Sequence, residues 1–444
     1  MNNYDYFFKN LFSLNNILNN LIVLELEGNY FNNNYIQIKG DSFEDINNFR
    51  HIEKISLNYI IFEESFILKL YNLKELKLDK CENIAFDDKN PFNLKILKIK
   101  MGIINKSKSL IKLTELEECD LFRNFNYMQE EYDKIIDFKS LIKLKILIME
   151  FKEFKNIEDI PYLLSLEELK LKHTHLIDEE YIKKILLFNK LKFLDLQIYK
   201  IDYSEIENIN IKNNSVTKIK IEWKCENDCL INILQEKFPN LTTIEINLLD
   251  KENENRAKII EIKDNKDCKV NTFNINGEIN KKLSFLCDSY ENLKEINISL
   301  SCENEINDIK SIIPIFKDNS TLIFKSLNVF IFSYNQNVDL NFLNNIYNNI
   351  DNMPNLKYFE LNLISKDIND DFLKKMIRKL LSINLDTCIL RIQKKLLNIW
   401  EPDIFKKEEL REIFPKMKNY CLYDKIYIEK IKEYFEIFDF EFIK

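Results

Sequence analysis

The stretch from Asn72 to Cys81, NLKELKLDKC, constrains this chain more than any other. Leu73, Leu76 and Leu78 set an apolar pattern at places one, four and six, with a cysteine at the ninth. The same core recurs with first positions at Leu21, Ile52, Leu73, Leu94, Leu116, Leu144, Leu166 and Leu191. It continues at Val216, Leu241, Val270, Leu293, Leu327, Leu356, Leu385 and Met417. From Leu21 to Met417 the fifteen steps cover 396 residues, a mean of about 26. Alternation with period two makes each core a short strand whose first, fourth and sixth residues point inward. One unit cannot bury its apolar row alone, so successive units must stack into a parallel sheet over a continuous core. A doubly wound sheet needs fewer, longer strands separated by helices, and this spacing does not supply them.

The pattern L-x-x-L-x-L-x-x-N/C resembles the leucine-rich-repeat family over nearly the whole chain. The resemblance implies an α/β fold, a curved horseshoe solenoid with a concave parallel β-sheet and a convex side of mixed helical and extended segments. At the ninth place the family favours Asn, Cys or Thr, which bond free backbone groups at the bend. Asn29, Cys81, Asn124, Thr174 and Asn335 keep this rule, whereas Lys152, Tyr199, Glu278 and Ile364 break it. The polar ladder is therefore expected to be incomplete and the curvature irregular. Residues 1–20 are expected to form an aromatic-rich cap, 21–426 a solenoid of about sixteen units, and 427–444 a C-terminal cap. That second cap is expected to be an apolar helix from Tyr427 to Phe440.

Unit length sets the convex side. Units from Ile52 to Leu116 are 21 or 22 residues long, which leaves room for an extended segment or one helical turn. From Leu166 the units lengthen, and helices are expected after Asp178, Asp339 and the pair Asp370 and Asp371. Each carboxylate precedes an apolar stripe at helical spacing, as in Phe372, Leu373, Met376, Ile377 and Leu380. Lys251 to Lys269 and Glu303 to Lys325 are expected to be surface insertions.

Composition narrows the function classes. With 45% hydrophobic residues and only 4 Gly and 7 Pro, the chain is not a disordered one. A net charge of −8 argues against a nucleic-acid partner, which needs a dominant basic surface. No apolar run reaches the roughly 18 residues of a membrane span, and MNNYDYFFKNLF has no secretory pattern. Nine cysteines without framework spacing point to a reducing, cytoplasmic setting, with Cys119 and Cys388 in fourth-position core places.

The sequence carries no G-x-x-x-x-G-K, G-x-G-x-x-G, H-E-x-x-H or G-x-S-x-G motif. His173 and His175 with Cys225 and Cys229 have ligand chemistry for zinc, yet the pairs lie two repeats apart with loose spacing. No metal, no cofactor and no enzymatic activity are expected. The remaining candidate is the solvent-facing side of the strands, at places five and seven. Its candidate partner-binding residues are Lys77, Lys98, Lys100, Lys170, Lys172, Lys220, Asn247, Asn274 and Asn276. Phe122, Phe193, Trp223, Tyr334 and Tyr358 are the aromatic anchors, since aromatic side chains carry a disproportionate share of interface energy. The expected function is protein binding by a monomeric recognition scaffold, an effector or adaptor. The alternative is the substrate-receptor part of a ubiquitin-ligase assembly, for which residues 1–20 are short for an F-box.

Overall fold

The computed structural model describes residues 21–28, 35–39, 46, 51–70, 72–86, 93–100, 112–122, 136–150, 162–174, 179–198, 209–223, 230–248, 258–262, 269–278, 283–287, 293–301, 327–337, 340–364, 370–383, 385–395, 420–422 and 435–443. They belong to two compact units, Met1–Val216 and Thr217–Lys444.

In the first unit the strands are β1 (Val23–Glu27), β2 (Ile36–Ile38), β3 (Lys54–Asn58), β4 (Ile60–Leu68), β5 (Glu75–Asp79), β6 (Glu82–Phe86), β7 (Ile96–Lys100), β8 (Glu118–Phe122), β9 (Ile146–Glu150), β10 (Glu168–Thr174) and β11 (Phe193–Ile198). β1, β3, β5, β7, β8, β9, β10 and β11 stack in that order into one parallel sheet. β2, β4 and β6 form a second parallel sheet within the same turns. Helix α1 (Glu179–Leu186) follows Asp178 as the stripe predicts.

The second unit runs β12 (Lys218–Trp223), α2 (Leu230–Lys237), β13 (Thr243–Leu248), β14 (Lys258–Ile262), β15 (Thr272–Glu278), β16 (Leu283–Cys287), β17 (Glu295–Ser301), β18 (Val329–Asn337), α3 (Leu340–Asn349), β19 (Tyr358–Ile364), α4 (Asp370–Ser382), β20 (Thr387–Lys395), β21 (Tyr420–Leu422) and β22 (Phe435–Ile443). Its main sheet is parallel through β12, β13, β15, β17, β18, β19 and β20. Both units are thus parallel β repeat solenoids.

From Leu21 to Leu385, each of the fifteen core strands begins two residues after the first apolar place. The register follows from a repeated bond. The N–H groups of Lys74 and Glu75 both donate to the carbonyl of Glu53, at 2.7 and 3.0 Å. Lys95 and Ile96 do the same to Lys74, at 2.7 and 3.0 Å. In the second unit the carbonyls of Thr217, Thr242, Asn271, Lys294, Asn328 and Lys357 each accept the same two donors from the next turn. With that register fixed, every described fourth- and sixth-place residue except Leu26 is buried, from Leu24 to Leu390.

A further core row lies three residues ahead of the first place, which the 1-4-6 pattern does not include. Leu70, Leu113, Leu141, Leu163, Phe188, Phe238 and Met353 are buried there. Their carbonyls accept the first-place N–H, as Leu70 does from Leu73 at 3.1 Å. Before Val216 this slot holds Asn213, also buried. Its Nδ2 donates to Phe188 O at 2.7 Å and Leu186 O at 3.4 Å. Its Oδ1 accepts from Ser215 N, Ser215 Oγ and Val216 N at 2.8, 2.6 and 3.3 Å. A polar residue is tolerated in the core because both ends of its amide are bonded.

The strand ends turn at the eighth place. Gly28, Tyr59 and Lys80 donate their N–H groups to the seventh-place carbonyls of Asn58, Asp79 and Lys100, at 2.9, 2.9 and 2.8 Å. Tyr59 and Lys80 take left-handed backbone angles, with φ of 57° and 51°. Lys80 Nζ donates to Tyr59 Oη at 2.8 Å and lies 4.6 Å from the Tyr59 ring centre. At the ninth place the buried Cys81 Sγ donates to Leu57 O at 3.2 Å and Asp79 O at 3.4 Å. This is the bend-bonding role that the pattern assigns to that position.

The segments between the core strands follow unit length. The two 21-residue units after Ile52 carry β4 and β6, and the helices predicted after Asp339 and Asp370 are α3 and α4. Three expectations are corrected. Lys251 to Lys269 contains β14, which pairs in parallel with β16, because KIIEI is a β-prone run of Ile. The sixteenth core at Met417 yields β21, which joins β22 antiparallel and does not continue the parallel ladder. Of the helix expected from Tyr427 to Phe440, residues 435–440 belong to strand β22, antiparallel to β20. The run FDFEF alternates with period two, and its phenylalanines 438, 440 and 442 stand opposite Ile392, Leu390 and Cys388. The expected cap at residues 1–20, the insertion from Glu303 to Lys325 and the ninth-place Asn29, Asn124 and Asn335 with Lys152 and Tyr199 lie outside the described residues, except Asn335, which has backbone only in β18.

Two outcomes follow for stability. Leu76→Ala and Ile219→Ala should each cost about 2–5 kcal/mol in denaturant melts. Lys77→Ala and Lys220→Ala should stay within about 0.5 kcal/mol. The reverse ranking would place the register one residue off. Gly28 is buried, and a Cβ there would stand 2.8 Å from Tyr59 O and 2.9 Å from Tyr59 Cβ. Gly28→Ala should therefore destabilise by about 1–3 kcal/mol, as backbone cannot yield like a flexible side chain. An unchanged melting temperature would refute that close approach.

Candidate functional site

Places three, five and seven of each strand share the face opposite the buried fourth and sixth. In the first unit the fifth-place row runs in register through Lys77, Lys98, Asp120, Ile148, Lys170 and Asp195. At the seventh place Asp79, Lys100 and Phe122 are neighbours, as are Glu150 and Lys172. The parallel stacking therefore gathers Lys77, Lys98, Lys100, Lys170 and Lys172 on one side of one sheet, around Asp120 and Glu150.

Three of these lysines are held by acids. Lys77 Nζ lies 2.7 Å from Glu75 Oε1, and Lys98 pairs with Glu118. Lys170 Nζ is 3.5 Å from Glu168 and 5.5 Å from the ring centre of the half-buried Phe193. Glu75, Glu118 and Glu168 occupy the third place, from which the selection took only the aromatics Phe193 and Tyr358. Period two alone puts the third place on that face, so the signal was present in the sequence.

A second row missed by that selection runs along the second place, just before the strands. Lys74 Nζ is 2.6 Å from Glu53, Lys145 Nζ 2.7 Å from Glu117, and Lys192 Nζ 2.7 Å from Glu167. Hydrogen bonds from Lys145 and Lys192 hold the Glu117 and Glu167 carboxyls below their ordinary values. Their contribution to folding is present above the unfolded carboxyl range and is lost as pH falls through the folded one.

Asp120, like Glu150 on the same face, is a buried acid. It is only 6% exposed, and its Oδ1 accepts no hydrogen bond among the described residues. Burial raises its pKa, outweighing the lowering by Lys172, Lys100 and Lys98. Asp79, two strands away, is raised by burial as well, against Lys80 and Lys100.

The second unit presents a different face. Lys220 stands beside Glu245, which stands beside Asn274 and then Asn297. The seventh place runs Glu222, Asn247, Asn276, Ser299, Ser333, Asn362, Arg391, uncharged between its first and last members. Asn274 Oδ1 is buried and unbonded among the described residues. The half-buried Tyr358 donates through Oη to Glu360 Oε2 at 2.7 Å, so its hydroxyl orients an acid on its own strand. The anchors Phe122 and Trp223 end β8 and β12, and Tyr334 lies in β18, with side chains outside what is described.

The thiols are buried. Cys81 and Cys388 are pushed up to about 12 by burial, and Cys119 is pushed up further, which leaves no reactive thiolate at these three. Among the described residues no three His, Cys, Asp or Glu side chains gather to hold a metal ion. His173 contributes only backbone in β10, and His175, Cys225 and Cys229 lie outside the described residues. No described helix is long and apolar enough to cross a membrane. No protein-family model matches the chain, and no curated protein matches it as a relative.

A carboxyl raised by folding destabilises the fold above its folded pKa, and the penalty fades as pH falls through that value. Asp120→Asn should therefore melt later than the wild type at pH 7, with the gain shrinking as the pH is lowered. A variant that melts earlier at pH 7 would show that the three lysines outweigh burial.

Proposed function

We propose that this chain is a leucine-rich-repeat protein, with a concave parallel sheet and a mixed helical and extended convex side, that binds another protein through the sheet face. The reading makes it a cytoplasmic, monomeric recognition scaffold without catalytic activity, an effector or adaptor. The observation that carries it is the in-register group Lys98, Lys100, Asp120, Glu150 and Lys172 on adjacent strands of the first unit. Strands about 4.8 Å apart spread these charges over a broad surface of fixed spacing. Such a surface suits the alternating charges of a folded partner, whose complementary pattern sets register and speeds encounter.

Affinity purification of the tagged full chain, with quantitative mass spectrometry, tests the reading. Partners retained by the wild type should fall about tenfold on Lys98→Ala/Lys172→Ala, equivalent to about 1.4 kcal/mol. They should also weaken as salt rises. Equal recovery on wild type and variant would exclude this face as the binding surface.

A further inference from the structure

Asp120 is an acid from which the fold draws no bond at one oxygen. It sits at the fifth place of β8, between Lys98 and Ile148 in the parallel ladder. It is 6% exposed, and its Oδ1 accepts no hydrogen bond among the described residues. Lys172, Lys100 and Lys98 act on it through space without offsetting its burial. Lys98 is committed to Glu118 on the next strand. A buried acid that lowers stability and lacks a donor is better explained by a partner than by packing.

Two further acids on the face resemble it. Glu150, at the seventh place of β9, is 7% exposed; it has other contacts, yet its Oε1 is buried and unbonded among the described residues. Asp79 Oδ1, at the seventh place of β5, is a third such oxygen. Strands β8 and β9 are adjacent, so Asp120 and Glu150 are diagonal neighbours. Strand spacing and rise put their Cα atoms about 8 Å apart. Across the first unit, places three, five and seven of β1, β3, β5, β7, β8, β9, β10 and β11 carry nine acids, six lysines and no arginine or histidine. Nine against six leaves this side of the sheet with an excess of negative charge.

Given the sheet face as the binding surface, on which this rests, we infer that the partner anchors there with an arginine. The side chain sits over Asp120 and Glu150, on a segment of net positive charge. A guanidinium is planar and holds five N–H donors in a fixed fork, so one side chain reaches two carboxylates from adjacent strands. Charge-assisted bonds of about 2.8 Å on opposite edges of the fork span a gap of that order. An ammonium is a point charge that serves one acid at a time. The chain's own lysines behave so, Lys77, Lys98 and Lys170 each pairing with one third-place glutamate. The lysines around Asp120 are long side chains that swing aside on a fast timescale and leave the sheet unmoved. An acidic segment would meet those lysines but leave the three acid oxygens without donors. A neutral amide would satisfy one oxygen and leave the excess of acid in place.

Panning a phage-displayed library of random dodecapeptides on the immobilised full chain tests this, with the affinity of each enriched peptide read by fluorescence anisotropy. Enriched peptides should be basic and share an arginine whose replacement by lysine weakens binding to the wild type about tenfold. Asp120→Asn and Glu150→Gln should each weaken it about tenfold as well. Asp120→Asn should do so while melting no earlier than the wild type at pH 7, which separates a binding acid from a structural one. Acidic or arginine-free peptides, lysine accepted in place of the arginine, or equal affinity for wild type and Asp120→Asn would overturn the inference. So would an Asp120→Asn chain that melts early, because the acid would then serve the fold. Those outcomes leave the sheet face standing as the binding surface, which fails only if Lys98→Ala/Lys172→Ala spares every captured partner.

Discussion

The carbonyl at the second place of each turn, accepting two N–H groups from the next, is the bond on which this structure depends. It sets the offset between neighbouring strands, and a one-residue change would turn every inward side chain toward water. Once the offset is constant, the fourth- and sixth-place rows stack like on like. The variety of Leu, Ile, Phe, Met and Cys in those rows then matters little, since volume can be exchanged between adjacent turns. The same offset creates the outward rows. Lysines separated by some twenty residues in sequence become neighbours only because the offset holds through the core places, the shifts coming later, as between Leu171 and Thr174 or Tyr334 and Asn337.

Electrostatics along the outward rows divides into two kinds. At the second and third places acids and lysines are near in the next strand or on the same one, and they form short exposed pairs whose individual worth is small. Asp120 is different, being buried among charges with one oxygen unbonded among the described residues. A face of paired charges in which Asp79 Oδ1, Asp120 Oδ1 and Glu150 Oε1 are buried and unbonded among the described residues has stability to gain when such an oxygen is met by a donor. That makes the Asp120 region, more than the lysines themselves, the part of the sheet where binding would change the energy most.

The fold was legible wherever one residue's role was local. Strand starts follow from period two, and α1, α3 and α4 follow from an Asp ahead of an apolar stripe. The inner row at Leu70, Leu163 and Phe188 was readable too, but a 1-4-6 template does not look three residues upstream. The C-terminal end was misread because the Tyr427 to Phe440 stretch offers apolar residues at both periods. Only the pairing with β20 decides for a strand over Phe435–Ile443, and pairing is not local. The candidate site was legible as a set of outward places. Its ion pairs were less so, since Lys98 with Glu118 depends on unit length as well as on spacing. The exposure of Ile142, Leu164 and Leu187 left no trace, because an exposed leucine and a buried one are the same letter.

Asn213 has a consequence for how such a chain finds its frame. In a repeat, the core of one turn fits the slot of the next, so stacking shifted by a whole unit is a near-degenerate competitor of the native arrangement. Leucine in the inner row does nothing to separate the two. The amide of Asn213 needs the carbonyl of Phe188 on one side and the Ser215 and Val216 donors on the other. In a shifted stack it would be buried against another turn's apolar row, with about 1–3 kcal/mol lost for each group left unbonded. This asparagine thus acts as an index mark, penalising misaligned assembly during folding while costing the native core almost nothing.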